Sequence, residues 1–268
     1  MDMNVPQAVL QIPESHVLRL PIVGDEPLPL SPQLRVHFDP EQQAMWSRWS
    51  PQPRPCFNPR LLGDIKRYYD FLSQNGAAMP SPDGTCAVEY VVLASGTPGI
   101  FNLGGDLDLF KQHIELHDRE GLLKYGHACI QVLYRNYIAH DLHATTISLV
   151  QGECLGGGFE AALSSDLIIA EKKARFGFPE ILFNLFPGMG AYSFLKRKVG
   201  QKITEEVITS GKIYSADDML ALGVVDVVAE DGQGEAEVAA LIKRRQKSHN
   251  GLASLSWVRR RVDQIEYA

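Results

Sequence analysis

Two glutamates and a run of glycines lie close together in the middle of the chain, and groups of these types can perform acid–base chemistry. The stretch 152–190 reads GECLGGGFEAALSSDLIIAEKKARFGFPEILFNLFPGMG. The glycines at 156–158 follow an apolar strand pattern and open a short predicted helix that carries Glu160. Glu180 comes after a second strand pattern and a turn. This spacing lets the two carboxylates face one pocket, where one could remove a proton while the other delivers one.

The glycine turn also predicts a site that stabilises negative charge. The start of a helix has free N–H groups and a partial positive charge, and glycine lets a substrate oxygen approach the backbone closely. A complete oxyanion hole needs a second N–H, and the best candidate is Gly105 in FNLGGDL, between an extended segment and a probable helix. From spacing alone two other interpretations stay open. The glycines could form only a tight connection, and Glu160 could only complement the helix dipole.

Other reactive side chains predict competing sites less well. Cys154 fits the G-x-C-x-G pattern of a nucleophile elbow. The only later histidine is His249, in a polar stretch that we expect to be exposed, so we interpret Cys154 as a buried packing residue. His113 and His117 have no evident third ligand and are interpreted as a solvated helix face, and HDLH at 140–143 as a polar loop. No metal site is predicted.

The elements that must position these groups alternate between strands and helices. Strand patterns occur in LRVHF, VEYVVLAS, TTISLVQG and VVDVV, and EQQAMWSRW is interpreted as a short helical turn. Asn58 and Pro59 predict the start of a helix that runs to about Ser73. Such alternation is typical of an α/β fold.

The bulk composition bounds the function. The chain has 268 residues, 45% of them hydrophobic, and a net charge of −6, which argues against nucleic-acid binding. Four cysteines without a CxxC pair favour reduced thiols and a cytoplasmic location. No apolar run is long enough to span a bilayer, and the first residues lack the features of a signal peptide. We therefore expect a soluble globular protein without membrane insertion.

Three segments resemble signature sequences of the crotonase (enoyl-CoA hydratase) superfamily: FNLGGDL, CLGGGFEAALSSDLIIAEKKARFGFPEI and LFPGMGA. The resemblance implies a crotonase-type superhelix of ββα units over residues 34–228. An N-terminal extension, residues 1–33, and a C-terminal helical segment, residues 229–268, would flank it. Since superfamily members are usually trimers or dimers of trimers, a homo-oligomer is also implied.

The same resemblance assigns roles to residues. It implies that Gly105 and Gly157 supply the two N–H groups of the oxyanion hole, and that Glu160 and Glu180 are the catalytic acids. No cofactor is implied beyond the thioester that carries the substrate. Many superfamily members lack one of the two acids, so the presence of both favours hydration or dehydration chemistry.

A narrower resemblance is to the bacterial diffusible signal factor synthases. It rests on the NLGGDL form of the first loop, on FPEILFNLFPGMGAYSFL and on the long N-terminal extension. It implies dehydration of a 3-hydroxyacyl thioester on acyl carrier protein, then hydrolysis to a free cis-2-unsaturated fatty acid that serves in quorum sensing. One alternative is an enoyl-CoA hydratase or isomerase that uses coenzyme A thioesters. Another is a non-catalytic partner of the receiver domain of a sensor kinase.

Four residues are candidates for an acyl pocket: Leu155, Gly156, Met189 and Trp257. Plain core packing is the alternative for Met189 and Trp257. Basic runs near the C-terminus, at 243–247 and 259–261, could meet an acidic carrier protein or a coenzyme A phosphate, or form a solvated helix face.

Overall fold

A computed structural model describes residues 28–265 of the chain, with side chains described to residue 262. Its strands are β1 (Leu34–Asp39), β2 (Ala44–Trp49), β3 (Met79–Ser81), β4 (Gly84–Cys86), β5 (Tyr90–Ser95), β6 (Ile100–Asn102), β7 (Thr145–Val150), β8 (Glu153–Leu155), β9 (Leu167–Glu171), β10 (Arg175–Gly177), β11 (Ile213–Ser215) and β12 (Val227–Ala229). Its α-helices are α1 (Pro59–Asn75), α2 (Leu107–Glu115), α3 (Arg119–Tyr137), α4 (Gly157–Leu163), α5 (Ala191–Ser210), α6 (Ala216–Ala221), α7 (Gly234–Arg245) and α8 (His249–Ile265).

The larger sheet has the order β1-β2-β5-β7-β9-β12. Only the β1–β2 pair is antiparallel, and the other neighbours run parallel. The strands β7 and β9 are buried along their whole length, and β9 has the nearly continuous apolar sequence that is typical of a strand covered on both faces. Helices cover both faces, so the class is α/β with a helical C-terminal segment, as predicted.

The smaller sheet has the order β11-β10-β8-β6, and it positions the candidate site. Its strands β6, β8 and β10 run parallel to one another. Each is followed by one of the segments singled out in the sequence: the Gly104–Gly105 loop, the glycine run at 156–158 and the turn with Glu180. Since the carboxyl ends of adjacent parallel strands meet at one edge of a sheet, segments that are far apart in sequence converge there.

Most predicted elements are present. Asn58 caps α1 through a hydrogen bond from the Leu61 amide, with Pro59 at the first helical position. Helix α5 is kinked at Gly200, which has a positive φ.

The interpretation of EQQAMWSRW as a helical turn was wrong, because Ala44–Trp49 is strand β2, between β1 and β5. The pairing on both sides stabilises an extended backbone that the local pattern does not indicate.

Two histidine interpretations were also wrong. His140, assigned to a polar loop, is fully buried and its ring packs 4.2 Å from that of Tyr69. His249, expected to be exposed, is buried beside Tyr90 at the start of α8.

The described residues do not test the predicted division of the chain into an extension, a core and a C-terminal segment. Residues 1–27 of the proposed N-terminal extension lie outside the described residues, while Ser31 is tied to Asp64 of α1. The boundaries at residues 33 and 228 stay a prediction. Within residues 28–265, no helix has the length and apolar character that a bilayer span requires.

Candidate active site

The two glycine loops touch through their backbones. A Cβ atom on Gly104 would lie 2.7 Å from the Gly157 nitrogen, and one on Gly157 would lie 3.2 Å from the Gly104 Cα and 3.5 Å from the Gly105 nitrogen. Gly104 also has a φ of +91°, which favours glycine. Only glycines allow this approach, and it brings the Gly105 and Gly157 amides side by side. Neither amide donates a hydrogen bond to an acceptor within the described part of the chain.

Side chains that the sequence did not single out hold the Gly105 loop in place. The Asn102 side-chain oxygen accepts the Gly104 amide at 2.7 Å. The Tyr125 hydroxyl accepts the Asp106 amide at 2.8 Å and donates to the Phe57 carbonyl at 2.6 Å. The peptide that carries the Gly105 N–H is therefore fixed on both sides. Tyr125 is distant in sequence, and no local pattern could have identified it.

Glu160 lies in the first turn of α4 and is only 1% exposed. Its Oε1 accepts the Met189 amide at 2.7 Å and the Ala191 amide at 2.9 Å. Burial raises the pKa of Glu160 to about 7, and the charge of Glu180 acts in the same direction, while the amide hydrogen bonds oppose the rise. The carboxyl group is thus poised to gain or lose a proton near neutral pH.

Glu180 lies in a 3-10 turn, Pro179–Phe183, directly after β10 and Phe178. A Cβ atom on Gly156 would lie 2.5 Å from the Glu180 Oε1, so the carboxyl group sits against the start of the glycine run. Burial raises its pKa. Its Oε2 is buried and has no hydrogen-bond partner among the described residues, so this oxygen is available to a substrate.

Together these groups form an arrangement suited to thioester chemistry. Two adjacent amides could hold the oxygen of an enolate or a tetrahedral intermediate, and a lost donor of this kind typically costs about 2.7–4 kcal/mol of barrier. Two carboxyl groups of raised pKa lie beside them and could exchange protons with carbon and oxygen atoms of the substrate.

The structure brings three of the four pocket candidates to this place. Gly156 contacts Glu180 as described, the Leu155 carbonyl borders Gly104, and a Cβ atom on Gly157 would lie 2.7 Å from the Met189 Sδ. Trp257 is different. It lies half-exposed on α8 with the Arg261 guanidinium over its ring, and the contacts described for α8 do not include the two glutamates or the glycine loops.

A cavity of about 500 Å³ adjoins the site beside Met189, between α3 and α5. Its wall includes Gly190, Tyr137 and Phe194. This is the space where an acyl chain could extend from the oxyanion hole.

The competing sites gain no support. Cys154 is fully buried, its thiol contacts the Gly158 carbonyl at 3.5 Å, and burial raises its pKa, as expected of a packing residue rather than a nucleophile. His113 bonds to the Asp118 carboxylate at 2.9 Å. Within residues 28–265 there is no group of three His, Cys, Asp or Glu side chains that could hold a metal ion.

The sequence is similar to known proteins of fatty-acid metabolism. It is 32% identical over 173 residues to the fatty acid oxidation complex subunit alpha of Pseudomonas paraeruginosa. This alignment covers 65% of this chain and 24% of that protein. The chain therefore spans about a quarter of the length of such relatives. It is 26% identical over 216 residues to the probable mitochondrial enoyl-CoA hydratase 2 of Arabidopsis thaliana, covering 80% of this chain and 65% of that protein.

Solved structures show the same fold. The enoyl-CoA hydratase from Bacillus halodurans superposes with a TM-score of 0.73 at 17% identity, over 84% of this chain and 85% of that one. DspI of Pseudomonas aeruginosa superposes with a TM-score of 0.69 at 19% identity, over 91% of this chain and all of that one. The predicted crotonase-type fold is confirmed. Since the sequence pattern of the enoyl-CoA hydratase/isomerase family matches residues 76–258, the chain belongs to that family.

Proposed function

We propose that the chain dehydrates a 3-hydroxyacyl thioester carried on acyl carrier protein and then hydrolyses the thioester, which releases a cis-2-unsaturated fatty acid used as a signal. The observation that carries the proposal is the pairing of two carboxyl groups of raised pKa with two open, adjacent amides. The resemblance of NLGGDL and FPEILFNLFPGMGAYSFL to diffusible signal factor synthases supports this substrate and product.

The hydrogen bonds favour an assignment of the first step. The Met189 and Ala191 amides donate to Oε1 of Glu160 and fix that carboxylate, whereas the buried Oε2 of Glu180 has no hydrogen-bond partner among the described residues and can face a substrate hydroxyl group. We assign Glu160 as the base that removes the C2 proton, while Gly105 and Gly157 hold the enolate oxygen. Glu180 gives its proton to the 3-hydroxyl group, which leaves as water.

The second step returns both groups to their starting states. Glu180, now ionised, takes a proton from a water molecule that attacks the thioester carbonyl. The same two amides hold the tetrahedral oxyanion. When the intermediate collapses, Glu160 gives its proton to the departing thiol. One water is released and one is consumed, so the cycle balances.

The second candidate function is hydration of trans-2-enoyl-CoA. The names of the relatives and the family favour it, and the same carboxyl groups and amides serve it. Incubation with 3-hydroxydodecanoyl carrier protein and, separately, with trans-2-dodecenoyl-CoA distinguishes the two. Release of free cis-2-dodecenoic acid, identified by mass spectrometry, supports the first. Hydration of the coenzyme A thioester without any free cis acid overturns it.

Variants test the assigned groups. Glu160→Gln and Glu180→Gln should each lower kcat by about 10²–10⁴-fold, the usual contribution of a positioned acid or base. Glu153→Gln, an exposed change in the preceding strand, is the matched control and should have no effect. Full activity in either of the first two variants would remove that glutamate from the mechanism.

A further inference from the structure

A second cavity, larger than the one beside Met189, does not belong to the candidate active site. Its volume is about 690 Å³, and it lies between α1, α2 and α3. Neither glutamate nor any glycine of the two loops lines it. Its size falls within the range of about 300–1,000 Å³ that is usual for small-molecule sites.

The walls of this cavity are apolar and partly made of very small residues. Leu62 and Gly63 of α1 line it together with Ala128 and Val132 of α3. Gly63 has no positive φ, and a Cβ atom there would have only ordinary contacts, the nearest to Arg67 at 3.7 Å. Glycine inside a helix costs about 1 kcal/mol relative to alanine. No steric conflict requires glycine at this position, and its lack of a side chain leaves room in the cavity.

The polar side chains that line the cavity carry a net positive charge. Lys66, Lys124 and Arg135 are cationic, and Asp70 is the single acidic residue of the lining. Lys66 forms a salt bridge to Asp70 at 2.6 Å, and Arg135 forms another to the same carboxylate at 3.2 Å. Lys124 forms no ion pair with an acidic residue in the described part of the chain. A ligand with an apolar body and one anionic group would match this distribution.

We propose that this cavity binds a single-chain amphiphile with an anionic head, namely the carboxylate of a free fatty acid, at a site separate from catalysis. The apolar walls hold the alkyl chain, and the Lys124 ammonium holds the carboxylate at the rim. A bound ligand would contact the candidate active site indirectly through Tyr125. The Tyr125 ring lines the cavity, and its hydroxyl group holds the loop that carries Gly105. This inference goes beyond the proposed function, since it requires binding and no turnover.

Dodecanoate is the probe, and its binding to the full chain is measured by isothermal titration calorimetry. Gly63→Leu and Ala128→Leu extend side chains into the cavity and should each weaken binding at least tenfold. His127→Leu is the matched control, because it is adjacent to Ala128 on α3, exposed and outside the lining. It should leave the affinity unchanged. Circular dichroism confirms that each variant is folded.

The head group and the site are tested separately. Lys124→Glu should weaken dodecanoate binding but leave the neutral analogue dodecanol unaffected. Glu160→Gln should retain dodecanoate binding, which separates this cavity from the catalytic one. The proposal is overturned if the wild type does not bind dodecanoate or if both leucine variants bind it normally. It is also overturned if the leucine variants change the oligomeric state instead, because the cavity would then be a subunit contact.

Discussion

At the scale of single residues, Gly156 links the backbone of the glycine run to the position of the Glu180 side chain, the proposed proton donor. It has a φ of +53°, and an added Cβ atom would meet the Glu180 carboxylate. Gly156→Ala should therefore cost about 1–3 kcal/mol of stability for the unfavourable backbone. It should also lower kcat by about 10²-fold, because a displacement of about 1 Å in an active site has this effect. Urea unfolding and steady-state kinetics measure the two effects.

Gly126→Ala is the control for this variant. Gly126 lies inside α3, and no atom would contact an added Cβ within 4 Å. The substitution should stabilise the protein by about 1 kcal/mol, because alanine favours the helix. Equal effects of the two substitutions on kcat would show that Gly156 does not position Glu180.

The pKa of Glu160 predicts how the reaction depends on pH. The rising limb of kcat/KM should follow the ionisation of Glu160, the base, with a pKa of about 7, and the falling limb should follow the ionisation of Glu180, the proton donor. The variant Glu160→Gln should lose this rising limb in its residual activity. A Glu160→Gln variant that keeps the rising limb but loses the falling limb would instead identify Glu160 as the proton donor and reverse the roles proposed above.

The same group predicts a dependence of stability on pH. Because the folded-state pKa is raised from 4.5 to about 7, the folded protein binds more protons than the unfolded chain between these values. Stability from Glu160 is thus fully present below pH 4.5 and is lost as the pH rises through 7. Relative to the wild type, Glu160→Gln should gain stability between pH 5 and pH 8 in urea unfolding. A parallel pH dependence in both proteins contradicts this.

Residue types and spacing predicted which groups meet, but not what holds them. The glycines and glutamates of the two motifs could be identified because their chemistry is local: a turn that opens a helix, and acids near it. Asn102 and Tyr125 could not, since each acts through a contact that exists only after folding. Trp257 lies half-exposed on α8 with Arg261 over its ring, and its place in an acyl pocket stays a prediction.

At the scale of elements, α3 holds the Gly105 loop, which carries a proposed oxyanion donor, through one hydroxyl group. Tyr125→Phe removes a partner from both the Asp106 amide and the Phe57 carbonyl. We expect kcat to fall about tenfold, less than the 10²–10³-fold loss for removal of an oxyanion donor itself, with KM nearly unchanged. Tyr192→Phe, whose hydroxyl group bonds to Glu205 on the surface at 3.4 Å, is the control. Reduced stability with normal kcat would limit Tyr125 to a structural role.

Strands and helices were predictable where sequence pattern and environment agree. Residue types that favour strands identified β5 and β7, and Asn58 with Pro59 identified the start of α1. Strand β2 was missed because its extended form depends on pairing with β1 and β5, which no local window contains. The parallel order of β6, β8 and β10 likewise needs the whole sheet, and this order is what assembles the site.

At the scale of the whole molecule, a run of apolar side chains is exposed directly after Glu180. Five of them are between 36% and 69% exposed: Ile181, Leu182, Phe183, Leu185 and Phe186. A contiguous apolar surface of this kind marks an interaction site more often than a free surface. We expect a second copy of the chain to cover it in a homo-oligomer, a trimer or a dimer of trimers.

The double variant Phe183→Asp/Phe186→Asp tests this assembly, because a buried unpaired carboxylate strongly disfavours an interface. Size-exclusion chromatography with light scattering should show an oligomeric wild type and a monomeric double variant. Leu123→Asp changes a side chain that is 43% exposed on α3 and should leave the oligomer intact. Because the covered segment continues the turn that holds Glu180, loss of the partner should also lower kcat. A monomeric wild type, or a double variant that assembles normally, contradicts the prediction.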